Sequence, residues 1–93
     1  MSQTPTAALP EVVTVHTVTA VLASLASRLR QQGAGEATLD AAALRTFDSS
    51  AVALLLELRR DLDQQGCRLR LVNLPDKLQE LVALYGVGEL LPA

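Results

Sequence analysis

Aromatic and basic residues are scarce in this chain. Phe47 and Tyr85 are its only aromatic residues, and tryptophan is absent. Proteins that bind single-stranded nucleic acid stack the bases on aromatic side chains, so this chain is poorly equipped for that work. Eight basic residues against ten acidic ones give a net charge of −2, whereas proteins that bind a phosphate backbone usually carry a basic excess. We therefore expect no nucleic-acid partner.

The residue types that carry catalysis and metal binding are also rare. Cys67 is the only cysteine, so it can form neither an internal disulfide nor a zinc cage. His16 is the only histidine, and nothing in the Thr- and Val-rich segment around it indicates a catalytic base. Glycine-rich phosphate loops, HExxH and CxxC motifs are all missing. We expect a non-enzymatic protein without a metal or a cofactor. We expect Cys67 and His16 to be structural or to lie at the surface.

Long apolar runs are absent as well. The longest stretch without a charged residue, 12–27, is rich in Thr and Ser and falls short of the ~20 apolar residues that cross a bilayer. The first residues lack the basic start and the apolar run of a secretory signal. We expect a cytoplasmic protein that does not insert into a membrane.

Hydrophobic residues nevertheless make up 49% of the chain, and their spacing alternates between strand and helix patterns. Strands are predicted at 6–9, 37–40 and 68–73. Helices are predicted at 17–32, from the turn at Asp48 to Gly66, and from Pro75 to Gly86. Residues 12–19 fit either a strand or the start of the first helix. A short apolar tail, 87–91, closes the chain.

This alternation is typical of one α/β domain with a small, largely parallel sheet covered by helices. We assign residues 1–5 to a flexible N-terminus and 6–93 to the single domain. The inner face of the second helix is predicted to consist of Val52, Leu55, Leu56, Arg59 and Leu62. Its outward residues are predicted to be Glu57, Arg60, Asp61 and Gln64. The inner side of the third helix is predicted to carry Leu78, Leu81, Val82 and Tyr85.

A polar turn precedes the second helix. Asp48, Ser49 and Ser50 are residue types that favour helix N-termini, because their oxygens accept the N–H groups that have no partner there. One interpretation is that the turn is only a cap. The other is a contact or regulatory point, because hydroxyls there are exposed and the N–H groups and helix dipole favour an added phosphate. The pattern alone leaves both interpretations open.

Several segments together resemble a STAS domain, the fold of anti-sigma-factor antagonists and of the small STAS subunit of lipid-transport ABC systems. The pattern is LDxxxLxxxDSSxxxLLLxL from Leu39, followed by QxGxxLxL at the entry to the last predicted strand and by the segment 75–85. The resemblance spans about Ala8 to Pro92. It implies a small sheet with helices mainly on one side and a partner-binding surface around the N-terminus of the second helix.

Carried over by position, the resemblance makes Asp48, Ser49 and Ser50 an acidic-hydroxyl turn. Ser50 takes the place of the serine that is phosphorylated in anti-sigma antagonists. Ser49 takes the place of the hydroxyl that contacts the ATPase in the lipid-transport subunit. Both hydroxyls are present, so the turn does not choose between the two branches.

The chain departs from the family pattern at three places. Ala51 stands where a glycine usually follows the serines, and Ala42-Ala43 stands where Ser-Gly usually follows the third strand. These changes fit the antagonist branch less well. Too few residues precede Ala8 for the usual first strand, so we expect a sheet that starts one strand short, with an exposed edge or one covered by a partner.

The C-terminal third resembles the MlaB-type subunit of the Mla phospholipid transporter, through a DK…L..LY…LP pattern from Asp76 to Pro92. The resemblance implies a non-enzymatic accessory subunit that is peripheral at the inner membrane. It would bind the ATPase subunit of an ABC transporter, in a complex with the permease, and support assembly or activity. The alternative is an anti-sigma-factor antagonist switched by serine phosphorylation. The predicted partner-binding residues are Asp48, Ser49, Ser50, Ala51, Glu57, Arg60 and Asp61.

Overall fold

The computed structural model describes residues 6–30 and 35–86. Their strands are β1 (Thr6–Ala8), β2 (Val12–Val13), β3 (Glu36–Asp40), β4 (Thr46–Phe47) and β5 (Arg68–Val72). Their helices are α1 (Val18–Arg30), α2 (Ser50–Gln64) and α3 (Asp76–Leu84). The predicted α/β architecture is confirmed.

The strands form two small sheets. The larger sheet has the order β1-β3-β5, and the smaller one pairs β2 with β4. Every strand pair among the described residues is parallel, as the predicted largely parallel sheet requires. Backbone bonds extend the larger sheet beyond its strands, because the Leu9 N–H donates to the Asp40 carbonyl and the Ala41 N–H to the Val72 carbonyl.

The hydrophobic core lies between the central strand and the helices. Ala37 and Leu39 of β3 are fully buried, because parallel strands are covered by helices. Helix α2 supplies six buried residues and packs against both α1 and β5. They recur at helical spacing on one face: Ala51, Val52, Leu54, Leu55, Leu58 and Leu62.

Helix α2 ends in a Schellman motif built around Gly66. The Cys67 N–H donates to the Leu62 carbonyl at 2.8 Å, and the Gly66 N–H donates to the Asp63 carbonyl at 3.0 Å. Gly66 has a φ of +74°, a left-handed conformation that a side chain disfavours. The glycine therefore lets the chain leave α2 and enter β5 directly.

Most predicted boundaries agree with the structure to within two residues. For residues 12–19 the sequence left strand and helix as alternatives. In the structure they form the two residues of β2, a turn and the start of α1 at Val18. Strand β4 was not predicted, because two residues are too short to show an alternating pattern. Four predictions fall on residues outside the described ranges: the flexible N-terminus, the absent first strand, the end of the first helix and the apolar tail.

Three side-chain predictions need correction. Tyr85 was predicted on the inner side of the third helix, but it follows the last residue of α3 and is 51% exposed. Asp61 was predicted to face outward and is half-buried. Arg59 was predicted on the inner face and is half-buried, with its guanidinium 3.5 Å from the Asp63 carboxylate one turn further on.

Two glycine substitutions test how the Gly66 conformation contributes to stability. Gly66→Ala should lower the free energy of unfolding by about 1–2 kcal/mol through backbone strain alone, since nothing lies within 4 Å of the added Cβ. Gly35→Ala is the matched control, because its Cβ also enters open space and its φ is not positive. The control should be neutral or stabilising by up to ~1 kcal/mol. Equal urea midpoints for the two variants would contradict this role.

Candidate functional site

The turn at the start of α2 is organised by the carboxylate of Asp48. One of its oxygens accepts the Ser50 N–H at 2.8 Å, which caps the helix. The other accepts the Val15 N–H at 3.1 Å, from the turn between β2 and α1. The Asp48 N–H also donates to the Val13 carbonyl at 3.3 Å. Asp48 therefore joins α2 to the segment that precedes α1, besides capping α2 as the sequence predicted.

These bonds favour the ionised form of Asp48. The backbone N–H of Ser50, and after it that of Val15, hold the pKa of the Asp48 carboxyl below its usual value. The Ser50 side chain lowers this pKa further. The turn therefore carries a negative charge that is engaged within the chain.

The two serines of the turn have different environments. Ser49 is exposed, and its side chain makes no capping hydrogen bond. Ser50 is half-buried, and its backbone N–H donates to the Asp48 carboxylate. Ala51 is 1% exposed, so its methyl group packs in the core and is not available to a partner, contrary to its inclusion among the contact residues. Ser49 is thus the hydroxyl that the turn presents to solvent.

The predicted contact residues further along α2 do not cluster with this turn. Glu57 and Arg60 are exposed and form an ion pair with a separation of 3.6 Å. Asp61 is half-buried. At 1.5 Å per residue, Arg60 lies roughly 16 Å along the helix from Ser49. These charges can border a contact centred on the turn, but they do not form its centre.

Exposed apolar residues surround the turn, and sequence reasoning did not identify them as surface residues. The large hydrophobic residues that the structure shows as exposed are Val12, Val15, Leu84 and Tyr85. Val12 pairs with Thr46, and the Val15 N–H bonds to Asp48. Leu84 lines a cleft with Phe47, and Tyr85 lines another with Ser49. We call Ser49 and these four residues the turn surface.

One cleft of the turn surface has a volume of about 280 Å³. Ser49 stands at this cleft with Val52 and Ala53 of α2, and Leu56 and Tyr85 complete its lining. A single polar hydroxyl beside an apolar depression suits a protein contact, in which apolar side chains supply area and one hydrogen bond supplies orientation. The sequence indicated this apolar surface through Leu84, which is apolar but lies outside the predicted inner side of the third helix.

Neither a metal-binding cluster nor a membrane-spanning helix occurs among the described residues. No three His, Cys, Asp or Glu side chains among them are close enough to bind a metal ion. Within the same residues, no helix is long and apolar enough to cross a membrane. Burial raises the pKa of the Cys67 thiol, which disfavours the reactive thiolate. The turn surface is the candidate site because it combines an exposed hydroxyl with exposed apolar residues.

Acid titration tests the double role of Asp48. Because its folded pKa is lowered from the usual value of about 3.8, its stabilisation is present above about pH 4 and is lost as the pH falls through the folded pKa. Asp48→Asn should lower the urea midpoint at pH 7, and its deficit against the unsubstituted protein should shrink on acidification below pH 4.

Glu80→Gln serves as the matched control, because it neutralises an exposed carboxyl on α3. Its urea midpoint should follow that of the unsubstituted protein at every pH. A deficit of Asp48→Asn that stays constant from pH 7 to pH 3 would contradict the ionised carboxylate as the stabilising group.

Comparisons with known proteins bear on this fold and site. The family model described as "Mlab, STAS domain" matches residues 2–92. No curated protein sequence matches the chain significantly. Among solved structures, the anti-sigma factor antagonist SpoIIAA in its unphosphorylated form is similar, with a TM-score of 0.72 and 23% identity. That match covers 96% of this chain and 79% of the other.

The likeness to SpoIIAA concerns the fold, and the family model concerns nearly the whole sequence. The fold likeness agrees with the parallel sheets and the three described helices. The chain belongs to the STAS domain family, of the MlaB type.

Proposed function

We propose that this protein is a non-enzymatic accessory subunit that binds the ATPase of an inner-membrane phospholipid ABC transporter. In this role it would be cytoplasmic and held at the inner membrane by its partner, with the permease in the same complex. Binding would support the assembly or activity of the ATPase. The protein itself would carry out no step of lipid transfer.

The observation that carries the proposal is the exposed Ser49 hydroxyl among four exposed apolar residues. Apolar residues exposed together are typical of contacts between proteins. The MlaB-type family match supports an ATPase as the partner. The Asp48 carboxylate is already bonded within the chain, so its role is to hold the turn, and the Ser49 hydroxyl is available to bond the partner.

The alternative is an anti-sigma-factor antagonist that is phosphorylated on serine. The fold likeness to SpoIIAA is the observation in its favour. Ser50, which takes the place of the phosphorylated serine, is half-buried, and its backbone N–H donates to Asp48. The MlaB-type family match over residues 2–92 favours the transporter role over this alternative.

Ser49→Glu is the sharpest test of the transporter role. A carboxylate in a packed contact should raise the Kd for the purified ATPase subunit more than tenfold, because burying an unpaired charge costs several kcal/mol. The same negative charge at a helix N-terminus should leave the thermal midpoint unchanged or slightly higher. Lost binding would then not reflect unfolding.

Ser27→Glu, at an exposed position of α1, is the matched control and should bind the ATPase normally. A Ser49→Glu variant that co-purifies with the ATPase as well as the unsubstituted protein would contradict the proposal. Incorporation of phosphate at Ser50 by a kinase-type anti-sigma factor and ATP would establish the alternative instead.

A further inference from the structure

A second cleft lies next to the turn surface, between β4 and α3. Its volume is about 370 Å³. Phe47, Leu81 and Leu84 provide its apolar lining, and Leu84 is 76% exposed. The charged residues at this cleft are Arg45, Lys77 and Glu80. We call it the basic cleft.

The two cations of the basic cleft have no carboxylate partner within 4 Å among residues 6–30 and 35–86. The exposed pairs Arg59–Asp63 and Glu57–Arg60 on α2 show that neighbouring charges do pair elsewhere on this surface. Lys77 also stands in the first turn of α3, where the helix dipole disfavours a positive charge. An external carboxylate would therefore improve the electrostatics of the cleft.

The basic cleft is continuous with the turn surface. Phe47 lines the cleft, Asp48 follows it, and Ser49 lines the neighbouring 280 Å³ cleft. The backbone N–H groups of Arg45 and Thr46 both donate to the Glu11 carbonyl, at 2.8 and 2.9 Å. These bonds join the start of β4 to the residue before β2.

We propose that the basic cleft binds an acidic, amphipathic segment of the partner protein, with leucine-type side chains on Phe47, Leu81 and Leu84 and carboxylates at Arg45 and Lys77. This inference rests on the proposed function, since the partner is the same ATPase subunit. It adds a second contact of stated chemistry beside Ser49.

The shape and charge of the cleft favour a peptide over a lipid or a nucleic acid. The cleft is a shallow surface depression whose volume suits a few side chains, whereas an acyl chain needs an enclosed apolar channel. The cleft carries two cations, Arg45 and Lys77, against one carboxylate, Glu80, beside apolar side chains. This excess of positive charge matches a segment in which carboxylates flank apolar residues. A phosphate backbone would need a longer row of cations.

Charge reversal tests the contact. Arg45→Glu with Lys77→Glu should weaken ATPase binding at least tenfold, and binding to the unsubstituted protein should weaken as salt rises. Arg28→Glu with Arg70→Glu is the matched control, because it changes the net charge equally at exposed positions away from the cleft. The control pair should bind the ATPase normally.

Lys77 offers a direct readout, because it is the only lysine in the chain. A carbodiimide couples a lysine amine to a carboxylate in contact with it, forming an amide with loss of water. Applied to the complex with the ATPase, it should join Lys77 to an Asp or Glu that has leucine-type neighbours. Lys77→Arg keeps the charge but should remove this cross-link while leaving the affinity unchanged.

The outcomes separate this inference from the proposed function. In one outcome, Ser49→Glu binds the ATPase weakly, the double charge reversal binds it normally and no Lys77 cross-link forms. That outcome would overturn the inference and leave the proposed function standing. If the unsubstituted protein does not bind the ATPase at all, the proposed function itself fails.

Other occupants of the cleft give different results, and each would overturn the inference. In the protein alone, a cross-link from Lys77 to Glu89 within one chain would assign the cleft to this chain itself. The same cross-link between isotopically distinct chains would assign the cleft to a second copy. Retention on phosphatidylglycerol vesicles that the double reversal abolishes would assign it to a lipid headgroup.

Discussion

The bridge made by the Asp48 carboxylate is the interaction on which the candidate site depends. One carboxylate bonds the first N–H of α2 and an N–H of the turn before α1, at 2.8 and 3.1 Å. Because the same group caps one helix and anchors the approach to another, Ser49 is held at the junction with its hydroxyl in solvent.

A second carboxylate makes a similar bridge at the other end of the β3–β4 connection. Asp40 accepts the Ala42 N–H at 2.8 Å and the Asn73 side-chain amide at 3.1 Å, which ties the end of β3 to the residue after β5. The Ala42 N–H, and then Asn73, hold the pKa of Asp40 below its usual value. Asp40 and Asp48 therefore fix both ends of the segment that leads to Ser49.

Sequence reasoning identified the features that repeat along the chain or have strong local chemistry. The helical spacing of Val52, Leu55 and Leu62, the stop at Gly66 and the cap at Asp48 all appear in the structure. Strand β4 could not be predicted because its two residues are too short to show an alternating pattern, and the exposure of Tyr85 depends on where α3 ends. The spacing that suggests burial of Tyr85 continues past Leu84, where α3 ends. The position of Val15 beside Asp48 likewise depends on a contact between residues 33 positions apart.

Hydrogen–deuterium exchange of the protein, with and without the ATPase subunit, tests the central claim most directly. If the turn surface is the contact, amides between Thr46 and Glu57 and at Leu84 and Tyr85 should exchange more slowly in the complex. The amides of β3, which are already bonded within the sheet, should be unaffected. Protection confined to β1 or to the outward side of α1, with none around Ser49, would contradict the account.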